Sequence, residues 1–176
     1  MKIAIHGPMC SGKTTVSNII KKYDPEYKTY SFGGKVKDIG RDLFNMQGKD
    51  RSLLIDIASK MREIDNNIWA KYVIKQIKLE NNDKCIIDDL RFQNEADYLD
   101  GWRFISLTTP KDVRIQRIRN LYKEDYNDHI KNMDHISETG KIKLPENTVY
   151  IDGSIKYSEL EDKIKDVLKN LNNTHL

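Results

Sequence analysis

Little in this sequence points outside a reducing interior. Cysteine is scarce, with only Cys10 and Cys85 in unrelated segments without metal-type spacing, which leaves no disulfide framework to read and favours a cytoplasmic location. No apolar run approaches the length of a membrane span. The first residues, Met-Lys-Ile-Ala-Ile-His, meet Gly7 at once and lack the charged region, long apolar core and cleavage site of a secretory leader. An excess of one charge is also missing. A formal net charge of +3 is small beside 30 basic and 27 acidic residues, which argues against a dedicated nucleic-acid surface but leaves phosphorylated small molecules as partners. There is no internal repeat and no Pro/Gly/Ser-rich linker, so the 176 residues are expected to form one domain, 1–176.

Short apolar runs alternate with longer, helix-like stretches. Strands are expected at 2–6, 84–88, 103–107 and 148–151, with a weaker candidate at 28–32. Helices are expected at 13–23, 36–45, about 53–79, 94–99, 113–120 and 158–171, the last carrying Leu160, Ile164, Val167, Leu168 and Leu171 as an apolar stripe. That alternation implies an α/β fold, a central parallel sheet of about five strands covered by helices on both faces. Ligands of such sheets bind beyond the carboxyl ends of the strands.

Gly7-Pro8-Met9-Cys10-Ser11-Gly12-Lys13-Thr14 fills every fixed position of the G-x-x-x-x-G-K-[ST] pattern, and Thr15 adds a second hydroxyl. The string follows a strand candidate and opens a helix candidate, the setting in which loop and helix N–H groups face a nucleotide's phosphates. Gly7, Ser11, Gly12, Lys13, Thr14 and Thr15 are therefore the expected ATP-binding residues. Lys13 would reach the β- and γ-phosphates, and the Thr14 hydroxyl would serve Mg²⁺. Cys10 needs no role in such a loop.

The stretch Cys85-Ile86-Ile87-Asp88-Asp89-Leu90-Arg91-Phe92-Gln93-Asn94-Glu95 ends an apolar run in carboxylates and then an arginine. Carboxylates there suit Mg²⁺, and Arg91 suits a bidentate hold on a phosphate. Asp89 or Asn94 could equally cap the next helix, and Arg91 could pair with a surface acid.

The string Asp-Asp-Leu-Arg-Phe-Gln-Asn-Glu-Ala resembles the D-x-R-F-x-N-E-A signature of phage and viral deoxynucleoside monophosphate kinases. Three further segments are similar to that family in order: Met61-Arg62-Glu63-Ile64-Asp65 with Trp69, Asp134-His135-Ile136-Ser137-Glu138, and Tyr150-Ile151-Asp152-Gly153-Ser154 with Leu160. The resemblance runs from residue 1 to about 168, and animal-type phosphomevalonate kinases share much of it. It implies a P-loop nucleoside monophosphate kinase fold with a lid at about 114–145 and an acceptor region at about 32–80. It also implies Asp89 near Mg²⁺, Arg91 and Arg62 on the acceptor phosphate, Asp65 and Trp69 lining or bracing the acceptor pocket, and Glu95 anchoring the turn after the strand. Arg62 could instead pair with Asp65 within a helix, and Trp69 could be core. Tyr30-Ser31-Phe32-Gly33-Gly34-Lys35-Val36-Lys37 is similar to the family's S-F-A-x-x-L-K segment; its spacing favours Lys37 over Lys35 as the family lysine, and Phe32 would stack on a base or pack.

Arg114 and Arg117 share a helix face and are the expected lid arginines, closing on the triphosphate, with Arg119 solvated. His135 is expected to order the lid, because a phosphate acceptor is already ionised and needs no base. Gly153 would let the backbone approach adenine. The expected activity is transfer of the γ-phosphoryl group of ATP, with Mg²⁺, to a deoxynucleoside monophosphate, in the host cytoplasm for a viral enzyme and with a homodimer as one admissible assembly. The alternatives are a phosphomevalonate-type kinase and, outside catalysis, a nucleotide-dependent switch or assembly ATPase.

Overall fold

The computed structural model describes residues 1–124 and 126–173, the last three by backbone alone, so the Leu171 side chain of the C-terminal stripe lies outside the described residues. Five strands, β1 (Lys2–His6), β2 (Lys28–Tyr30), β3 (Cys85–Leu90), β4 (Arg103–Thr108) and β5 (Val149–Asp152), form one sheet in the order β2-β3-β1-β4-β5. Every neighbouring pair is parallel, with β1 central.

Burial on both faces explains why these strands read as continuous apolar runs. Ile3, Ile5, Ile86 and Ile105 face α1 (Lys13–Tyr23) and α9 (Tyr157–Asn173), while Ala4, Ile87 and Phe104 face α2 (Gly34–Phe44), α3 (Arg51–Ile64) and α4 (Ile68–Glu80). This is period-two alternation inside an unbroken hydrophobic string. The connection after β1 runs to β2 on one side and the connection after β3 runs to β4 on the other, so a crevice opens at the carboxyl ends of this adjacent pair.

The single helix expected over about 53–79 is two. Asp65 turns extended (φ −144°, ψ 109°), and its carboxylate accepts the Asn67 N–H at 2.9 Å. Such local bonds compete with helical ones, and Asp65 supplies one where Asn66 and Asn67, poor helix formers, follow. At the other end α3 starts two residues early, because the Asp50 side chain caps it by accepting the Leu53 N–H at 2.8 Å.

After α5 (Gln93–Asp97) and α6 (Lys111–Leu121) come the short α7 (Tyr126–Lys131), a 3₁₀ turn (Asn132–Asp134) and α8 (Ile136–Thr139). This segment lies over the crevice. Met9 of the glycine-rich loop, Ile118 and Met133 form a small separate apolar cluster beneath it. Asp128 accepts the Arg51 N–H (2.7 Å), the Ser52 N–H (3.3 Å) and the Ser52 hydroxyl (2.6 Å), which ties the segment to the first turn of α3.

Candidate active site

Between β1 and α1 the chain makes a tight loop whose backbone needs its glycines. Gly7 (φ 149°) and Gly12 (φ 108°) lie in the left-handed half of conformational space, and a Cβ on Gly7 would stand 2.7 Å from the Ser11 hydroxyl. Val16 N–H closes the first bond of α1 onto the Gly12 carbonyl. The N–H groups of Lys13, Thr14 and Thr15 therefore have no partner within the helix and lie at its positive end. Lys13 is buried and donates to the Gly7 (2.7 Å) and Pro8 (2.8 Å) carbonyls. Burial, with Arg91 nearby, lowers its ammonium to about 7, so it awaits negative charge.

A cavity of about 630 Å³ opens from this loop and runs to the start of α3 and the exit of β3. Gly12, Lys13, Thr14 and Thr15 line its loop end. Ser11 does not: its side chain is fully buried, and its N–H is taken by the Pro8 carbonyl at 3.2 Å. Gly7 is likewise buried behind the loop.

Register places a bulge on the two carboxylates of β3. Ala4 pairs with Ile87 but His6 with Leu90, so β3 has one residue more than β1 across Asp88-Asp89. The pair is aimed apart. Asp89, the expected metal residue, accepts from the Ser31 hydroxyl (2.6 Å) and from the N–H groups of Phe32 (2.9 Å) and Gly33 (2.8 Å), so it fastens the β2–α2 turn. The Asp88 carboxylate takes a hydrogen bond from its own backbone and from no other residue among the described residues, lines the cavity and feels Lys13 and Lys37. Burial, then Asp89, raises its pKa. For Mg²⁺, the carboxylate not taken up by other described residues is Asp88, and with the exposed Thr14 hydroxyl it fits an ion that takes few protein ligands and keeps water and phosphate oxygens.

The acceptor end holds the other expected arginines. Arg62 donates to Glu95 at 3.3 Å and lies 4.1 Å over the Phe92 ring. Glu95 is 2% exposed, accepts the N–H groups of Arg91 (2.9 Å) and Phe92 (3.1 Å), and is raised to about 7 by burial and then by Asp89. Arg91 donates to Glu138 and to the Ser137 carbonyl at 3.1 Å. Lys37 lines the same cavity, and Phe32, though 3% exposed and part of the core, shows it one edge.

Of the remaining expected residues, Asp65 and Arg114 are corrected. Trp69 is core, 3% exposed, and its indole N–H donates to the Ala58 carbonyl at 3.2 Å; it braces a lining residue without reaching the cavity. Asp65 breaks the helix and pairs with Lys71 at 2.7 Å, away from the cavity. Arg117 does line it, donating to the Cys10 (3.1 Å) and Gly153 (2.7 Å) carbonyls, but Arg114, one turn earlier, does not, and its Nε and Nη1 are buried without a partner among the described residues. Gly153 lines the cavity, and it also has to be glycine for the loop, since a Cβ there would stand 2.1 Å from the Ser11 carbonyl oxygen.

Sequence reasoning missed Lys49, Arg51 and Glu138 as site residues. Lys49 donates to the Tyr122 hydroxyl at 3.1 Å, and burial lowers its pKa. Glu138 has a fully covered side chain and accepts from Met9 N–H (2.7 Å), Arg51 and Arg91. Its place in the Asp-His-x-Ser-Glu string was the available signal. His135 accepts the Ser137 N–H at 3.1 Å and caps α8.

A family profile described as an AAA domain matches residues 3–138. A search of curated proteins finds no match. Among solved structures, a gluconokinase from Sinorhizobium meliloti superposes with a TM-score of 0.58 at 13% identity, over 99% of this chain and 97% of that one. An uncharacterized protein from Eubacterium ventriosum gives 0.57 at 14% identity, over 97% and 98%. A shikimate kinase from Aquifex aeolicus gives 0.48 at 17% identity, over 99% and 98%. With the first two, the likeness is one of fold.

Proposed function

The chain belongs to the AAA domain family, and from that premise we propose that it is a phosphotransferase moving the γ-phosphoryl group of ATP to a deoxynucleoside monophosphate, with the cytoplasm as its place of work. One observation carries the reading. A single cavity joins the phosphate-binding loop to a second cationic end, Arg62 and Arg91, beside an apolar wall of Val36, Leu54, Ile55 and Ala58. Two cationic ends accommodate two phosphate-bearing ligands, and the apolar wall suits a flat base better than a polyhydroxylated acceptor.

Lys13 and the first N–H groups of α1 would hold the β- and γ-phosphates, with Arg117 beside them at the Cys10 and Gly153 carbonyls. Arg91 would hold the acceptor phosphate, whose oxygen attacks in line as the β–γ bridging bond breaks. That oxygen is already ionised, so no side chain has to remove a proton. Thr14 and Asp88 would hold Mg²⁺, which would supply charge neutralisation for the phosphates. Positioning and charge neutralisation supply the rate enhancement. A branched aliphatic phosphate, as in phosphomevalonate, could use the same wall. A coupled ADP-release assay with each nucleoside monophosphate and with phosphomevalonate tests the reading: the expected result is stimulation by a deoxynucleoside monophosphate, and stimulation by phosphomevalonate alone would overturn it.

A further inference from the structure

Arg51 is attached to the segment over the crevice at both its ends. Its backbone N–H donates to Asp128 of α7 at 2.7 Å, and its guanidinium donates to Glu138 of α8. Glu138 in turn touches three separate parts of the chain: the Met9 N–H of the phosphate-binding loop, Arg51 at the start of α3, and Arg91 at the exit of β3. A carboxylate with two oxygens can accept this many donors, and a covered one needs them.

Neither arginine is used up by these bonds. Each gives Glu138 a single nitrogen, both line the cavity, and the Nε of Arg51 is buried without a partner among the described residues. Guanidinium donors left over at a cavity wall call for acceptor oxygens. The charges agree. Lys13, Lys49, Arg51 and Arg91 converge on this corner and have Glu138 as their common acid, with Asp88 and Asp89 near Lys13 and Asp128 at Arg51.

We propose that Glu138 is the positioning residue through which the lid assembles the transfer site, holding Arg51 and Arg91 together against the phosphate-binding loop, and that Arg51 is a further phosphate-binding residue. This rests on the proposed function. Closing the segment 126–139 brings Asp128 and Glu138 onto Arg51 at once, so the second guanidinium is in place only when the crevice is covered. Opening it scatters the cluster, which withholds transfer to water.

The test uses Glu138→Gln, Arg51→Met and the double variant in the full chain. Inorganic phosphate is titrated calorimetrically into the protein holding Mg-ADP, and steady-state kinetics are run with the accepted substrate. Each single change should weaken phosphate binding at least about fivefold and lower kcat at least about tenfold while the KM for ATP stays within about threefold. The double variant should lose less than the product of the two single losses, because both changes remove the same held guanidinium. Tighter phosphate binding by Glu138→Gln would show that its carboxylate merely occupies the phosphate's place, and would overturn the proposal; so would losses that multiply in the double variant. If Glu138→Gln does not fold, Arg51→Lys beside Arg51→Met decides the point: a lysine at 51 that restores full phosphate affinity and kcat speaks against a held guanidinium. Should the wild-type protein phosphorylate no nucleoside monophosphate, the functional reading fails while the phosphate titration still decides this one.

Discussion

Adjacent residues of one kind can have unrelated duties, and Asp88 and Asp89 show how a bulge separates them. Asp89 accepts three hydrogen bonds that build the β2–α2 turn, whereas Asp88 faces the cavity, bonded to no other residue among the described residues. Asp89→Asn should therefore cost about 1–3 kcal/mol of stability, read as a lower Tm, because one donor meets an amide instead of a carboxylate. Asp88→Asn should leave Tm unchanged or higher and lower kcat by about a hundredfold, with a raised Mg²⁺ requirement. The reverse pattern would exchange their roles. Glu95 offers a second test. Its carboxyl is raised from the ordinary 4.5 to about 7, so between those values the folded protein holds a proton that the unfolded chain has released. Its contribution to stability is present below about pH 4.5 and is lost as pH rises toward 7, by at most about 3 kcal/mol. The stability of the wild-type protein relative to Glu95→Gln should fall over that window. A flat difference by urea unfolding at several pH values would place the Glu95 carboxyl in its ordinary range.

Among the elements, what repeats locally was legible and what depends on distant partners was not. The strands were readable because burial on both faces demands unbroken apolar runs, and the glycine-rich loop because its backbone demands glycine at fixed spacing. The break at Asp65-Asn66-Asn67 was hidden because helical periodicity continues on both sides of it, while the competing bond is made by the side chain itself. The short helices over the crevice bury only a few apolar residues around Met133, and the bonds that seat them on the site run from Asp128 to α3 and from Glu138 to two arginines far away in sequence. Arg51 escaped notice for the same reason. Arg114 and Arg117 share a helix face, yet only the second meets the loop. Arg117→Ala should lower kcat more than it raises the KM for ATP, by about a hundredfold, as expected for a charge that matters most in the transition state. Arg114→Ala should act on stability and leave turnover within about threefold. Steady-state kinetics of both, with both substrates saturating, checks this; equal losses of turnover would return Arg114 to the site.

Taken as a whole, the molecule is a parallel sheet whose central strand delivers a phosphate-binding loop to a crevice, with arginines from two other segments, α3 and the exit of β3, facing it. A nucleotide-dependent switch needs only the first of these. A phosphotransferase needs both, with a cover that keeps water out while the phosphoryl group crosses. The most direct measurement is therefore the fate of that group. Phosphorus NMR of the wild-type protein with Mg-ATP and an equimolar mixture of deoxynucleoside monophosphates should show ADP and a new nucleoside diphosphate growing in equal amounts, with inorganic phosphate near the level of a protein-free control. ADP and inorganic phosphate growing together, with every monophosphate untouched, would contradict it.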